Sequence, residues 1–262
     1  PLSYLISHIQ TVKEGNWVPI REIPCNDEVA SLLSSFNSMI AIQTKMRDDL
    51  IEAEKLKQQL SLNLLQQQVN PHFLYNTLDN ICALAELDEK ETLIQLVMNL
   101  SSFYRSSLSN GKMHISIGQE LEISRAYLEI LQIRYFHKFD FTITCPEALK
   151  NYSCIKLLLQ PILENSIYHG IKGLDRHGIL HIEAEDAGDC IRFTISDNGR
   201  GFSKEDYEKI WQQDADHFGI KSIQQRILLY YGPGYGLSME SPQTGGCITV
   251  ITLPKQEGLP CH

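Results

Sequence analysis

The sequence predicts an α+β protein: an N-terminal helical region that pairs as a coiled coil and bundle, followed by an α/β layered domain. Three observations carry that expectation. From Asp27 to Pro71 hardly a helix breaker occurs, and Phe36, Met39, Met46, Leu50, Ala53, Leu60 and Leu64 follow alternating spacings of three and four, interrupted by Gln43 and Lys57. Near residue 137 the period switches to the two-residue alternation of Phe139, Phe141, Ile143 and Cys145. Beyond that point strand-like and helix-like stretches interleave, the plan of a layered α/β domain.

In chain order, Leu2, Leu5, Ile6, Ile9 and Val12 form an amphipathic stripe that ends at Gly15. Together with Glu14-Gly15-Asn16-Trp17, Asp27-Glu28-Val29 and Phe36-Asn37-Ser38-Met39, this segment resembles a HAMP linker, the two-helix module that follows a membrane-spanning helix in bacterial sensors. The resemblance implies an upstream transmembrane sensor in a longer chain, with this portion as its cytoplasmic part at the cell membrane. The run from Asp27 exceeds an ordinary globular helix, and its seven-residue repeat predicts a left-handed dimeric seam. Two further helical patterns cover residues 91–109 and 118–136, separated by Asn110-Gly111 and a turn around Gly118. Helices are then expected over 154–171 and 219–231, and strands over 179–186, 190–196, 235–241 and 247–253. The organisation expected is a HAMP linker over 1–45, a coiled-coil connection and dimerisation helices over 46–137, a layered α/β domain over 138–256, and a tail over 257–262.

Composition narrows the function classes. With 262 residues, 43% hydrophobic and 21% charged, the chain can bury a substantial core. A net charge of -9 lacks the basic footprint of a protein that grips a phosphate backbone, which argues against nucleic acid as a partner. The seven cysteines are scattered, without Cys-x-x-Cys spacing, so neither a disulfide framework nor a zinc site is indicated.

The segment Val69-Asn70-Pro71-His72-Phe73-Leu74-Tyr75-Asn76-Thr77 places an imidazole just after a proline on a Gln-rich helical run. Proline cannot donate to the helical ladder, so a local bend is expected beside His72. The register puts Pro71 on the apolar seam and His72 one place off it, where a nucleophile stays accessible. This string resembles the phosphoacceptor box of the LytS/YesM-type sensor histidine kinases, which implies that His72 receives a phosphoryl group. Where relatives of another subfamily follow the histidine with an acidic residue, this chain has Phe73. Asn76, one turn along, is a candidate for orienting the imidazole.

Three later segments resemble the boxes of the Bergerat-type ATP fold that histidine kinases share with gyrase, MutL and a heat-shock chaperone. The first is Gln160-Pro-Ile-Leu-Glu-Asn-Ser-Ile-Tyr-His-Gly170, in which Asn165 matches the magnesium-ligating asparagine and His169 a position that reaches the phosphates. An amide oxygen is a hard neutral ligand suited to a cation already carrying triphosphate oxygens. The second is Ser196-Asp-Asn-Gly-Arg-Gly-Phe202, in which Asp197 matches the carboxylate that accepts the adenine amino group. Gly199 and Gly201 there allow backbone to approach the purine. The third is His217-Phe-Gly-Ile-Lys-Ser-Ile-Gln-Gln-Arg-Ile227, a second glycine box in which Gly219 opens a helix whose amides favour phosphate. It departs from the family at His217 and Ser222, and the last strand opens Gly246-Cys247 instead of Gly-Thr. ATP-hydrolysing relatives carry a general-base glutamate where this chain has Pro161, which favours transfer to a protein nucleophile over hydrolysis.

The resemblance therefore implies a homodimeric sensor histidine kinase. It would use ATP and magnesium to phosphorylate His72, then pass the group to an aspartate of a response regulator. Two rivals stay open: a dimeric signalling scaffold with a degenerate nucleotide site, and a Bergerat-type ATPase without phosphohistidine.

Overall fold

The computed structural model describes residues 28–67, 71–107, 113–211, 218–242 and 245–256. The expected HAMP stripe, the residues around His217 and the tail lie outside the described residues. The chain divides into two compact units, Pro1–Leu65 and Gln66–His262.

In the first unit a single helix, α1 (Glu28–Gln67), dominates the described residues. On its predicted seam Phe36 is half-buried, while Met39, Met46 and Leu50 are exposed, Leu50 by 70%. No helix among the described residues is long and apolar enough to cross a membrane.

The second unit begins with α2 (Pro71–Glu86), which Pro71 opens. Proline suits a first helical position because that N–H has no intrahelical partner. The junction where a bend was expected, residues 68–70, lies outside the described residues. Helix α3 (Lys90–Ser107) follows after a turn in which Asp88 takes a positive φ of 58°. A short strand β1 (His114–Ser116) then leads into α4 (Ile117–Arg134). Ser116 caps α4 in a capping box with Gln119, so Gly118 lies inside the helix and not in the turn expected from sequence. Helix α4 packs against both α3 and strand β2 (Phe139–Thr144).

The helix expected from residue 154 begins later. Ser153–Ile155 form strand β3, antiparallel to β1, and Leu157 takes a left-handed φ of 55° that a helix cannot accommodate. Helix α5 (Gln160–Asn165) therefore starts at the Gln-Pro pair and continues as a π-helical turn, Ser166–Ile171. The remaining expected elements are present as β4 (Gly178–Asp186), β5 (Cys190–Asp197), α7 (Phe218–Tyr231), β6 (Gly236–Glu240) and β7 (Cys247–Pro254), and a helix not expected from sequence, α6 (Lys204–Trp211), stands between β5 and α7.

The main sheet has the order β2-β4-β5-β7-β6, with β2 parallel to β4 and the other pairs antiparallel. One face is dry: Leu180, Ile182 and Ala184 of β4 and Ile191, Phe193 and Ile195 of β5 are buried in one core with Ile162 and Ile167 of the α5 segment and Ile223 and Ile227 of α7. His181, Glu183 and Arg192 on the opposite face are exposed. This alternation is why the strands were legible, and it leaves the helices over one face only.

Candidate active site

The site forms where α5 ends, β5 ends and β7 begins. In the π turn the amide of Lys172 donates to the Ile167 carbonyl at 2.8 Å, a five-residue reach that widens the helix. Beside it, the segment after β5 is stitched down. Arg200 N–H donates to the Gly170 carbonyl at 3.1 Å, and Gly246 N–H donates to the Gly199 carbonyl at 2.9 Å. Asn198 fixes the same turn to β4: its Oδ1 accepts from Ile179 N–H at 2.7 Å, and its Nδ2 donates to the His177 carbonyl at 3.1 Å.

Asp197 is the centre of this arrangement. Only 9% exposed, its Oδ1 accepts from the amides of Gly199 at 2.9 Å and Cys247 at 3.2 Å. Its Oδ2 is buried without a hydrogen-bond partner. Burial pushes the carboxyl above its ordinary value, while the Ser166 hydroxyl and the two amides pull it back. A buried, half-satisfied acceptor costs free energy until a donor arrives, and an amino group on a planar base is such a donor. Gly199 is required by close approach, since a Cβ there would lie 2.7 Å from both Asp197 Oδ1 and the Gly170 backbone. Gly201 has φ +71°, and a Cβ there would collide with Ser241 Oγ.

These groups line an open cleft of about 560 Å³, counted with its mouth. Of the sequence-predicted residues, Asn165, His169, Asp197 and Gly201 line it together, and Gly199 backs it through Asp197. Gly219 does not line it; in the first turn of α7 it faces Pro161, whose Cβ would be 3.2 Å from an added Cβ. Reading the sequence did not single out Ser166, Arg200, Phe202 or Asp206, which also line it, as does Gly170. Arg200 lies between the two glycines of its box, the one local cue available. Cys247, the residue that departs from the family's Gly-Thr pair, also lines the cleft. Burial pushes its thiol up to about 11, so it is a protonated, weakly polar wall.

Asn165 is half-buried and offers one neutral oxygen, and among the described residues no cluster of three or more His, Cys, Asp or Glu could hold a metal. Such a donor set fits magnesium that brings triphosphate oxygens and water as its other ligands.

His72 and Asn76 lie outside this cleft, on α2. His72 is exposed, whereas its neighbour Phe73 is buried against Phe103 and Tyr127, with ring centroids 5.3 and 5.1 Å away. The helix is thus clamped one residue from an accessible imidazole. Asn76 is half-buried, and its Nδ2 has no hydrogen-bond partner among the described residues.

Comparison with known proteins gives the family. Residues 60–139 match the family model described as histidine kinase, and residues 152–257 match the histidine kinase-, DNA gyrase B- and HSP90-like ATPase model. The chain is 31% identical over 228 residues to sensor histidine kinase YesM of Bacillus subtilis (strain 168), covering 87% of this chain and 39% of that protein. It is 27% identical over 225 residues to sensor protein LytS of Staphylococcus haemolyticus, covering 83% of this chain and 37% of that one. It also resembles the solved catalytic domain of histidine kinase ThkA at 16% identity and a TM-score of 0.44, covering 55% of this chain and 96% of that one. The chain therefore spans well under half the length of the curated relatives YesM and LytS. By its two matched domains and these relatives, it belongs to the LytS/YesM-type histidine kinases.

Proposed function

We propose that this chain is the kinase core of a two-component sensor that phosphorylates His72 from ATP and then passes the group to a response regulator aspartate. The observation that carries the reading is the buried, unpartnered Oδ2 of Asp197 in a cleft it shares with Asn165. Adenine presents an amino group where guanine presents a carbonyl, so this acceptor selects adenine. Asn165 would hold the magnesium, which neutralises charge on the phosphates; His169 and Arg200 lie where they can add positive character or hydrogen bonds. Gly219 contributes through helix packing against Pro161.

In the transfer, an imidazole nitrogen of His72 forms a bond to the γ-phosphorus as the β–γ bridging bond breaks. ADP leaves with that electron pair, and the imidazole proton passes to solvent. Such transfers go through a loose transition state, so positioning and charge neutralisation carry most of the catalysis. With Phe73 where another subfamily has an acid, Asn76 is the nearest orienting group on the same helical face. In the second step an aspartate carboxylate attacks the phosphoramidate, and the imidazole is released.

The working unit in this reading is a homodimer. Met39, Met46 and Leu50 on α1, and Tyr75, Leu78, Ile94, Val97 and Met98 on α2 and α3, are all exposed apolar side chains, and a second copy covers both sets. Residues 46–137 then provide the connection and the phosphoacceptor bundle, residues 138–256 bind ATP, and residues 1–45 join them as a HAMP linker to a transmembrane sensor in the cell membrane. The second reading, a scaffold that binds ATP without turnover, draws on Gly219 lying outside the cleft.

One experiment separates them. Incubation with γ-labelled ATP should give an acid-labile, alkali-stable label that His72→Gln abolishes while ATP affinity stays within about threefold, because the cleft is built by other segments. ATP binding without label supports the scaffold. Label persisting in His72→Gln refutes the assignment of the phosphoacceptor.

A further inference from the structure

We infer that Tyr127 is a positioning residue joining the phosphoacceptor helix to the segment that carries Asn165, so that one side chain sets both ends of the transfer. The inference rests on the kinase reading above. Tyr127 sits in the middle of α4 with no exposure. Its ring lies 5.1 Å from that of Phe73, the residue after His72, and 5.8 Å from that of Phe103. Its hydroxyl donates to Glu164 Oε1 at 3.1 Å, and Glu164 immediately precedes Asn165. Gln160 Nε2 donates to the same oxygen at 3.2 Å, which holds the acceptor in place.

A buried aromatic needs no hydroxyl to fill a core, and phenylalanine would pack the same space without a polar group to desolvate. The phenol is therefore explained by what it bonds. Burial, with Glu164 beside it, pushes the phenol well above its ordinary value, so it remains a donor throughout the neutral range. The two contacts differ in kind: ring packing fixes the position of α2, and the hydroxyl fixes the rotation of α5 about its axis. A small error in either is costly when the donor and acceptor of a phosphoryl group must be aligned.

The test uses Tyr127→Phe, which keeps the ring and removes the donor. Single-turnover labelling of His72 should slow by roughly tenfold or more while the KM for ATP stays within about twofold, a split that simple loss of stability does not give. A second measurement does not need turnover. In the unmodified protein, a non-hydrolysable ATP analogue with magnesium should slow amide exchange both at 165–171 and at 73–80. In Tyr127→Phe, the protection at 165–171 should remain and that at 73–80 should disappear. Labelling at the unmodified rate, or slowing only in proportion to lost ATP affinity, would overturn the inference, as would retained protection at 73–80. If the unmodified protein binds the analogue but never labels His72, the kinase reading fails, and the exchange result still decides whether Tyr127 couples the two segments.

Discussion

Replacing Glu120 with glutamine should unfold the second unit at a markedly lower temperature, and the cost follows from what this carboxylate holds. Glu120 is fully buried on α4, and its two oxygens accept the amides of Leu157 at 2.8 Å and Leu159 at 2.9 Å. Arg226 of α7 grips the opposite side of that loop, donating to the carbonyls of Leu157, at 3.2 Å, and Lys156. Lys156 is itself buried, and its Nζ has no hydrogen-bond partner. Burial pushes the Glu120 carboxyl up and the Arg226 and Lys156 cations down; the Leu159 and Leu157 amides and then Arg226 pull Glu120 back, and attraction to Glu120 opposes both cation shifts. Glutamine can satisfy one of the two amides and neither cation.

Removing one partner from a buried ionic group costs about 3–5 kcal/mol. The strained Leu157 backbone also loses part of what holds it at φ 55°. For a compact unit of this size, each kcal/mol lowers the melting midpoint by about 2–4 °C, so the expected fall is about 6–20 °C by calorimetry. Lys156 gives the effect a pH signature. Its folded-state pKa lies below the unfolded value, so between the two the unfolded chain binds the extra proton and stability rises with pH. Without Glu120 that depression deepens, and the deficit should shrink as the pH is raised toward the ordinary lysine value. Glu120→Gln combined with Arg226→Met should be milder than Glu120→Gln alone. A midpoint for Glu120→Gln within about 2 °C of the unmodified protein would refute the reasoning.

Three other outcomes are expected. Asp197→Asn should weaken ATP by about 1–3 kcal/mol, roughly five- to 150-fold by calorimetric titration, and erode preference over GTP; equal affinity of the unmodified protein for both nucleotides counts against the assignment. Because burial raises the Asp197 pKa, ATP affinity should decline as pH falls through a midpoint above the ordinary aspartate value, while the stability cost of the empty, ionised carboxylate grows as pH rises through that midpoint. A flat affinity profile down to pH ~4 would contradict this. Met46→Glu with Leu50→Glu should give monomers by light scattering, with ATP binding intact; an unmodified chain that is already monomeric at micromolar concentration would remove the basis for the seam.

The parts of this molecule legible in its sequence are those whose signal is local. Strand β4 alternates buried and exposed residues along most of its length, so Leu180, Ile182 and Ala184 declared themselves by period alone. Asn165, His169, Asp197 and the glycines stood out because each lies in a short box. What stayed hidden depends on distant partners. Strands β1 and β3 are three residues each, too short to show a period. The apolar run Leu157-Leu158-Leu159 fits a helix as well as a loop; what excludes the helix is Glu120, 37 residues away from Leu157. Arg200, Asp206 and Cys247 meet across one cleft from separate segments, and nothing around any one of them names the others.

The same distant partners explain why α4, near the end of the first matched domain, matters to the second. Glu120 and Tyr127 are seven residues apart, two helical turns and about 10 Å along one face. The first holds the loop that leads into α5, and the second holds Glu164 at its far end. One helix therefore pins both ends of the segment that presents Asn165, while its Tyr127 ring seats Phe73 beside His72. The two residues should fail in different ways. Loss of the Glu120 charge strands buried cations and must appear in stability, whereas loss of the Tyr127 hydroxyl leaves the core filled and must appear in the rate of transfer. A Tyr127→Phe protein that melts many degrees lower with transfer unchanged, or a Glu120→Gln protein as stable as the parent but slow, would reverse these assignments and deny α4 its role in aligning the two halves of the reaction.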